Sequence, residues 1–304
     1  MNKILGILGP TGVGKSRVAV EVCKKLGDAY VISADSMQIY RGMDVGTAKI
    51  SQKEMDGVPH FAIDVVSPEA NFSAYDFCNY VENEVFPNRN GTAVVAGGTG
   101  LYFESLIYGL DAPVSERSSQ IRKDMQDLLA SQGPEAVLEV LKTVDRLTFD
   151  KIDKNNLKRV VRAIEIAESG GSMLGKTHER RAKYDYVLIV LNKSRDELYR
   201  NADARVDEMV KNGLFEEVEA LSKRFSDCGK LQSFQAIGYK EIVQYQKGDL
   251  TRQQAVDAIK LNTRHYVKRQ LTYFRRMKNA LWLDVDGMNC DEVVQKIIDC
   301  YENN

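Results

Sequence analysis

The octapeptide GPTGVGKS, from Gly9 to Ser16, indicates how the fold begins. It follows an apolar, strand-like run from Lys3 to Leu8 and precedes a segment with helical spacing from Arg17 to Leu26. This is the pattern GxxxxGK[ST] in the order of strand, loop and helix that phosphate-binding loops require. Backbone N–H groups of such a loop close around phosphate oxygens at a helix N-terminus, which favours anions.

Individual positions of this loop have distinct expected roles. Lys15 is expected to reach the terminal phosphates, and the Ser16 hydroxyl is expected to ligate Mg²⁺. The expected phosphate-binding residues are Gly9, Pro10, Thr11, Gly12, Val13, Gly14, Lys15 and Ser16.

Two further apolar runs are predicted to be strands of the same sheet. The run from Ala29 to Ala34 ends in Asp35, and the run from Thr92 to Ala96 ends in the turn GGTG, Gly97 to Gly100. Open parallel sheets bind ligands at the carboxyl ends of their strands, so Asp35 is expected to point at the phosphate site. Its alternatives are a helix cap or a carboxylate near Mg²⁺. The GGTG turn would let a substrate approach the backbone closely, or is merely a tight turn between strand and helix.

The middle of the chain has a different pattern. Helix signals follow one another there, with one helix ending at Gln132, a second starting at Pro134 and a third from Lys154 to Ser169. Strand pattern returns at Tyr186 to Leu191. We therefore predict an α/β core interrupted by an all-helical insertion, with core residues 1–114, insertion 115–184 and core residues 185–304, the last with basic C-terminal helices.

Composition limits the class of protein. The chain has 304 residues, is 43% hydrophobic and has a formal net charge of −1, so it can bury a core and lacks a uniformly cationic surface. No apolar run approaches the roughly 20 residues of a membrane-spanning helix, and we expect a cytoplasmic protein. Its five cysteines are scattered, which indicates reduced thiols and neither a disulfide framework nor a structural metal site.

Two local stretches are basic. In the third inserted helix, Lys158, Arg159 and Arg162 lie opposite an apolar stripe, which fits either a solvated face or an RNA site. Between Ala258 and Leu283 there is no acidic residue, and a basic helix there could follow a phosphate backbone. The aromatic residues of that helix, among them Tyr266, are expected to pack into the core.

The motifs taken in order carry a resemblance to a known family. GPTGVGKS, then DSMQIYRGMDVGTAK, Asp35 to Lys49, then VVAGGTGLYFESLIYGL, Val94 to Leu110, resemble the bacterial tRNA dimethylallyltransferases. Later segments that are similar, in the same order, include RVDEMVKNGLFEEVEAL from Arg205 and TRHYVKRQLTYFRR from Thr263. The resemblance extends to about Leu283. It implies a P-loop NTPase-like core, with a parallel sheet flanked by helices, plus an all-helical insertion domain.

The resemblance also implies a reaction and the residues that serve it. Dimethylallyl diphosphate would lose diphosphate as its allylic carbon is attacked by the exocyclic amine of the adenosine beside the anticodon. Asp35 and Thr99 are implied to be catalytic, Arg205 to join the phosphate loop in binding diphosphate, and Ser16 to hold the Mg²⁺. The partner implied is the anticodon stem-loop of tRNA, bound by a monomer. The implied tRNA contacts are Asp35, Ser36, Met37, Gln38, Thr99, Arg122, Lys158, Arg159, Val160, Val161 and Arg162.

Two other classes of function remain open from the residues alone. A small-molecule or nucleotide kinase would share the phosphate loop and could use the insertion as a lid. A non-catalytic RNA-binding protein with a phosphate loop would bind tRNA without prenyl transfer. The kinase predicts phosphoryl transfer from ATP, which separates it from both other hypotheses.

Overall fold

The structure is a computed structural model that describes residues 3–109, 116–173 and 181–303, with the side chains of 116–119 excepted. It forms two compact units. The core unit comprises Met1–Gly109 and Ala182–Asn304, and the helical unit comprises Leu110–Arg181. The expected boundary at 114/115 falls outside the described residues.

A fully parallel sheet forms the centre of the core unit. Its strands alternate along the chain with helices, and their order across the described sheet is β3-β2-β4-β1-β5-β6. Because both faces of such a sheet are covered, its inner strands are nearly continuous apolar runs, and β1 and β4 are buried at every position. The strands are β1 Ile4–Leu8, β2 Ala29–Ser33, β3 His60–Phe61, β4 Thr92–Gly97, β5 Tyr186–Asn192 and β6 Ala280–Asp284.

Helices of the core unit cover both faces of the sheet. They are α1 Lys15–Leu26, α2 Gln52–Met55, α3 Ala74–Tyr80, α4 Gly100–Tyr108, α9 Arg195–Lys211, α10 Leu214–Arg224, α11 Tyr239–Gln246, α12 Arg252–Phe274 and α13 Cys290–Glu302. Short π- and 3₁₀-helical turns occupy Val81–Val85, Phe86–Asn88, Cys228–Lys230 and Ser233–Gln235.

The helical unit contains four helices within its described residues. They are α5 Glu116–Gln132, α6 Pro134–Val144, α7 Arg146–Lys151 and α8 Leu157–Glu168. Its own apolar core is centred on Val137, Leu141, Val160 and Ile164. The short helix α7 is not among the three that the sequence predicts. It forms because Asp145, only 8% exposed, caps it by accepting hydrogen bonds from the Thr148 backbone and hydroxyl.

Two strands depart from the predicted pattern. The two-residue strand β3 was not expected, since no apolar run marks it. The long basic helix was expected to include residues up to Leu283, but α12 ends at Phe274 and β6 follows, paired in parallel with β5. Among the described residues, no helix combines the length and the apolar character needed to cross a membrane.

Candidate active site

The glycine-rich loop from Gly9 to Ser16 joins the carboxyl end of β1 to the first turn of α1. Gly12 and Gly14 adopt left-handed conformations, with φ of 81° and 99°, which an L-residue would adopt only under strain. Gly14 is the N-cap of α1, and no side chain caps the helix. The space where a Gly14 side chain would lie is open for 4 Å, so the first N–H groups of α1 face a cavity that an anion can fill.

Two cations, Lys15 and Arg205, meet at this loop. Part of each side chain is exposed to the cavity, and the surrounding protein buries the rest. Burial, and after it the neighbouring Arg205, lowers the pKa of Lys15 to about 7, although the Asp35 carboxylate acts in the opposite direction. Burial also lowers the pKa of Arg205, against the attraction of Asp35 and Glu208. The cavity thus has an excess of positive charge that a bound anion would relieve.

Hydrogen bonds hold the two cations where they are. The Lys15 Nζ donates to the Pro10 carbonyl at 2.8 Å, which folds the ammonium back over its own loop. Arg205 lies on α9 and donates to the Thr47 carbonyl at 3.2 Å. Asn201, one turn earlier on α9, donates to the Gly12 carbonyl at 3.0 Å and fixes this helix against the loop.

The two residues expected to be catalytic lie at the ends of neighbouring strands. The Asp35 Oδ1 accepts a hydrogen bond from the Met37 backbone N–H at 2.9 Å. The Thr99 Oγ1 accepts one from the Ser36 N–H at 3.3 Å, and the Thr99 N–H donates to the Ala34 carbonyl at 2.9 Å. Because β2 and β4 pair directly, these bonds join the turn after β2 to the turn after β4.

The glycines of the GGTG turn are explained by contacts within the protein. A Cβ on Gly97 would lie 2.1 Å from the Ala34 carbonyl oxygen, and one on Gly98 would lie 2.2 Å from the Gln270 Nε2. A Cβ on Gly100 would lie 2.6 Å from the Tyr273 ring. Contacts within the protein therefore account for these glycines, while the backbone of Gly97 and Gly98 lines a cavity, so the approach of a substrate to this turn stays a prediction.

Three cavities that share lining residues surround this site. The inner cavity lies between the phosphate loop and the ends of β2 and β4, the loop cavity lies over the N-terminus of α1, and the outer cavity lies beside Met37. Arg205 lines all three, while Lys15 lines the inner and loop cavities, and Asp35 the inner and outer ones. An anion on the loop side and a second molecule on the Asp35 side would therefore meet beside Arg205.

Tyr266 of α12 was expected to pack into the core, but it belongs to this site. It lines both the inner and the outer cavity. Burial, and after it the Asp35 carboxylate, raises the pKa of Tyr266 to about 12, against the opposing effect of Thr99 and Gln270 near its hydroxyl. Tyr266 lies on a stripe of α12 that covers the candidate active site. Apolar periodicity alone cannot distinguish such a stripe from one that packs into the core.

His60 of β3 also lines the inner cavity. Its Nδ1 lies 2.8 Å from the Val58 carbonyl, to which a ring N–H can donate. Burial lowers the pKa of His60, against the effect of this bond. Within the described ranges, no group of three or more His, Cys, Asp or Glu side chains could hold a metal ion by itself.

Ser16, the residue expected to hold Mg²⁺, lies in the first turn of α1 and lines the inner and loop cavities beside Lys15. Its side chain is open to solvent. Mg²⁺ commonly keeps several waters and binds through substrate phosphates with few protein ligands. The residues at this loop therefore fit an ion that is carried largely by a bound diphosphate.

Of the tRNA contacts expected in the core unit, Ser36 and Met37 line the outer cavity. Gln38 instead lies within the protein, 8% exposed, where it accepts a hydrogen bond from the Ser33 hydroxyl at 3.1 Å and lines the inner cavity. The basic character of α12 is also reduced by pairing. Lys260 and Arg264 form salt bridges with Asp207 and Asp203 of α9.

The expected tRNA contacts of the helical unit have three different environments. Lys158 and Arg159 are exposed on α8. Val160 has no exposed surface and packs in the core of the unit, so its side chain does not fit the expected RNA contact, while Val161 is partly buried. Arg162 was expected on the open face, but it is partly buried.

Arg122 and Arg162 share one buried carboxylate. The Arg122 Nε donates to the Glu165 Oε1 at 2.9 Å, and the Arg162 Nη1 donates to the Glu165 Oε2 at 2.7 Å. Burial alone would raise the pKa of Glu165, but the hydrogen bonds from Arg122 and Arg162 outweigh it and lower that pKa. Glu165 thus holds guanidinium groups from α5 and α8 side by side.

Comparisons of this chain with known proteins all indicate the same family of enzymes. The family model described as IPP transferase matches residues 38–277. A tRNA dimethylallyltransferase from Clostridioides difficile strain 630 is 41% identical over 298 residues, covering 96% of this chain and 95% of that protein. One from Bacillus anthracis is 39% identical over 302 residues, covering 97% and 95%.

Solved structures resemble the whole chain. The full-length tRNA isopentenylpyrophosphate transferase from Bacillus halodurans superposes with a TM-score of 0.72 and 37% identity, covering 100% of this chain and 98% of that one. A eukaryotic dimethylallyltransferase acting on tRNA gives a TM-score of 0.82 at 24% identity, covering 98% and 80%, and shares the fold.

Proposed function

The chain belongs to the IPP transferase family of tRNA dimethylallyltransferases, and we propose that it moves the dimethylallyl group of dimethylallyl diphosphate to an adenosine of tRNA. The acceptor is the exocyclic N6 amine of the adenosine next to the anticodon. The product is N6-dimethylallyladenosine in tRNA, with diphosphate released. The family places the reaction in tRNA modification, which favours this function over a small-molecule or nucleotide kinase.

The observation that carries the proposal is the pair of desolvated cations, Lys15 and Arg205, beside the uncapped N-terminus of α1. In this arrangement the diphosphate lies in the loop cavity and replaces the Pro10 carbonyl as partner of the Lys15 ammonium. Its charge relieves the repulsion between the two cations. As the allylic C–O bond breaks, the leaving oxygen gains negative charge, which the same donors stabilise more strongly than in the ground state.

Magnesium is the cofactor that we propose for this step. When bound, it supplies further positive charge to the diphosphate. Ser16 would hold it through its hydroxyl, because this side chain is open to the cavity beside Lys15. No acidic cluster is required for an ion that phosphate oxygens and water hold.

The acceptor amine approaches from the outer cavity, which Asp35, Met37 and Tyr266 line. The N6 nitrogen forms a bond to the allylic C1, the C1–O bond to diphosphate breaks with its electron pair, and the nitrogen loses one proton. Asp35 accepts or orients that proton, since its Oδ1 is already fixed by the Met37 N–H. Thr99 hydrogen-bonds at the reaction centre from the neighbouring strand end.

Binding of the tRNA anticodon stem-loop completes the proposal. Lys158 and Arg159 are exposed and can contact RNA phosphates, and Arg122 and Arg162 present paired guanidinium groups on the same unit. Charged contacts of this kind supply affinity that depends on salt. We propose a monomer that acts in the cytoplasm, with each unit contributing its own contacts to one tRNA.

Transfer of label from dimethylallyl diphosphate to unmodified tRNA, with Mg²⁺ present, tests the function directly. Nucleoside analysis of the product should place the label on N6 of the adenosine beside the anticodon. A parallel reaction with γ-labelled ATP and small acceptors tests the kinase. Phosphoryl transfer without prenyl transfer would overturn the proposal, and tRNA binding without either would indicate a non-catalytic RNA-binding protein.

A further inference from the structure

Gln270 of α12 is buried between the two loops of the proposed active site. It is 4% exposed. Its Oε1 accepts a hydrogen bond from the Thr11 N–H of the phosphate loop at 2.9 Å, and its Nε2 donates to the Gly98 carbonyl of the GGTG turn at 3.0 Å. One side chain therefore joins the loop that binds phosphate to the turn that carries Thr99.

The chemistry of these two bonds requires a carboxamide. The phosphate loop presents an N–H donor and the turn presents a carbonyl acceptor, and an amide side chain offers the matching acceptor and donor from one planar group. Glutamate keeps the acceptor but would place a carboxylate oxygen against the Gly98 carbonyl. Leucine has a similar size but leaves both backbone groups without a partner, which is unfavourable for buried polar groups.

The surrounding packing leaves this amide little freedom. The Gly98 position approaches Nε2 so closely that an added Cβ would lie 2.2 Å away. One helical turn before Gln270, the Tyr266 hydroxyl lies near the side chains of Gln270 and Thr99. Hydrogen bonds therefore join Thr11 through Gln270 to Gly98, the residue directly before Thr99.

We propose that Gln270 is a positioning residue that aligns the donor loop with the turn that carries Thr99. The inference rests on the proposed function. In this arrangement a diphosphate bound by the loop fixes Thr11, and Gln270 transmits that placement to Gly98 and Thr99. Transfer then requires Gln270 because it sets this alignment from the wall of the inner cavity.

The test uses Gln270→Glu and Gln270→Leu, with Gln253→Glu and Gln253→Leu as matched controls on the exposed face of the same helix. Four quantities are measured on each variant: thermal stability, binding of inorganic diphosphate with Mg²⁺, tRNA affinity and the single-turnover transfer rate. We expect both Gln270 variants to lose about a hundredfold in transfer rate, as misplaced reacting groups do. Their tRNA affinity should stay at the wild-type value, and both controls should transfer normally.

A second perturbation reaches the same contact without removing a polar group. The added methyl of Gly98→Ala should push the Gln270 amide away and reproduce the loss of transfer, which keeps the test decisive if a Gln270 variant does not fold. In a double-mutant cycle, Gln270→Leu should have little further effect on a Thr99→Ala background, because both act through the same turn. Additive effects, or folded Gln270→Leu protein that transfers at the wild-type rate, would overturn the inference. A wild-type protein that transfers nothing would instead refute the proposed function.

Discussion

Arg205 of the core unit differs from Arg122 and Arg162 of the helical unit in whether a carboxylate pairs with it. In the core unit, burial lowers the pKa of Arg205, which donates to a backbone carbonyl and forms no salt bridge with any carboxylate of the described chain. In the helical unit, Arg122 and Arg162 are both paired with the carboxylate of Glu165.

The difference matches two kinds of anion. In the proposed function, a small diphosphate would supply the negative charge that the desolvated cations at the phosphate loop lack, and this would favour its binding. An RNA backbone is large and hydrated, and arginines that contact it need a fixed direction more than an excess of charge. If the two sites act on separate substrates, a substitution at one site should leave binding at the other unchanged.

Lys15→Ala should cause the largest loss. Removing one preorganised hydrogen-bond donor to the charge that develops in the transition state lowers reaction rates by up to about a thousandfold. We expect the transfer rate and the affinity for inorganic diphosphate to fall, while tRNA affinity measured by filter binding stays intact. An equal loss of tRNA affinity would show that the two sites are not separate.

Asp35→Asn should lower single-turnover transfer by about a hundredfold, the range of lost general-base assistance, with substrate binding nearly unchanged. The substitution keeps an oxygen that can accept from the Met37 N–H but removes the basic carboxylate. Rates are measured across a Mg²⁺ titration at saturating substrates. Full rescue by Mg²⁺ would assign Asp35 to the metal, and the wild-type rate would remove it from the mechanism.

The pH dependence of diphosphate affinity tests the state of Lys15. Its pKa of about 7 in the free protein lies below the ordinary 10.5, and a bound anion would raise it again. Binding above pH 7 then takes up a proton, so affinity should fall by up to about tenfold per pH unit as pH rises. Calorimetry in two buffers measures the proton uptake, and Lys15→Met should abolish the part that belongs to Lys15.

The same pKa has a consequence for stability. The unfolded chain binds more protons than the folded, ligand-free protein between pH 7 and the ordinary pKa of lysine. Over that window the free energy of unfolding contributed by Lys15 rises with pH. Lys15→Met should remove this contribution from the pH profile of thermal stability.

Lys158→Glu with Arg159→Glu tests the helical unit. Both side chains are exposed, so the fold should persist, while tRNA affinity should fall about tenfold and the salt slope should decrease by about one per lost phosphate contact. Diphosphate affinity should not change, and Lys151→Glu, also exposed, serves as control. Arg162 is left in place because a glutamate there would face Glu165. Unchanged affinity across a salt series would mean that these residues form only a solvated face.

Glu165→Gln should have the smallest effect on binding. Losing charge-assisted hydrogen bonds should lower the free energy of unfolding by about 2 kcal/mol. If Glu165 directs Arg122 and Arg162, tRNA affinity should fall a few-fold with an unchanged salt slope, since no cation is lost. Tighter binding than wild type would show that Glu165 only neutralises the two arginines.

The sequence was sufficient for the parts of the fold that depend on local pattern. The strand, loop and helix around Lys15 occur as predicted, and Asp35 and Thr99 follow neighbouring parallel strands. The family and its activity were also recognised from the motifs, and the comparisons confirm them. The individual roles of the site residues stay predictions.

Other features depend on contacts between distant parts of the chain. Gln270 is 172 residues from Gly98, and no local pattern indicates that they bond. A strand edge was expected only from Asp284 onward, whereas β6 begins at Ala280, because its apolar residues follow a basic helix without a clear break in composition. The burial of Val160 and the pairing of Arg162 could not be separated from an open basic face, since helical spacing does not reveal what packs against each side.

The position of β1 in the sheet has a consequence for synthesis on the ribosome. It lies between β4 and β5, and β5 begins only at Tyr186, after the whole helical unit has been translated. At roughly 5–20 residues per second, the nascent chain spends several seconds with one edge of β1 unpaired. An unpaired apolar strand is a template for aggregation, so this interval is when the protein most needs a chaperone. Chains arrested shortly before Tyr186 should bind one, and chains extended past β5 should release it.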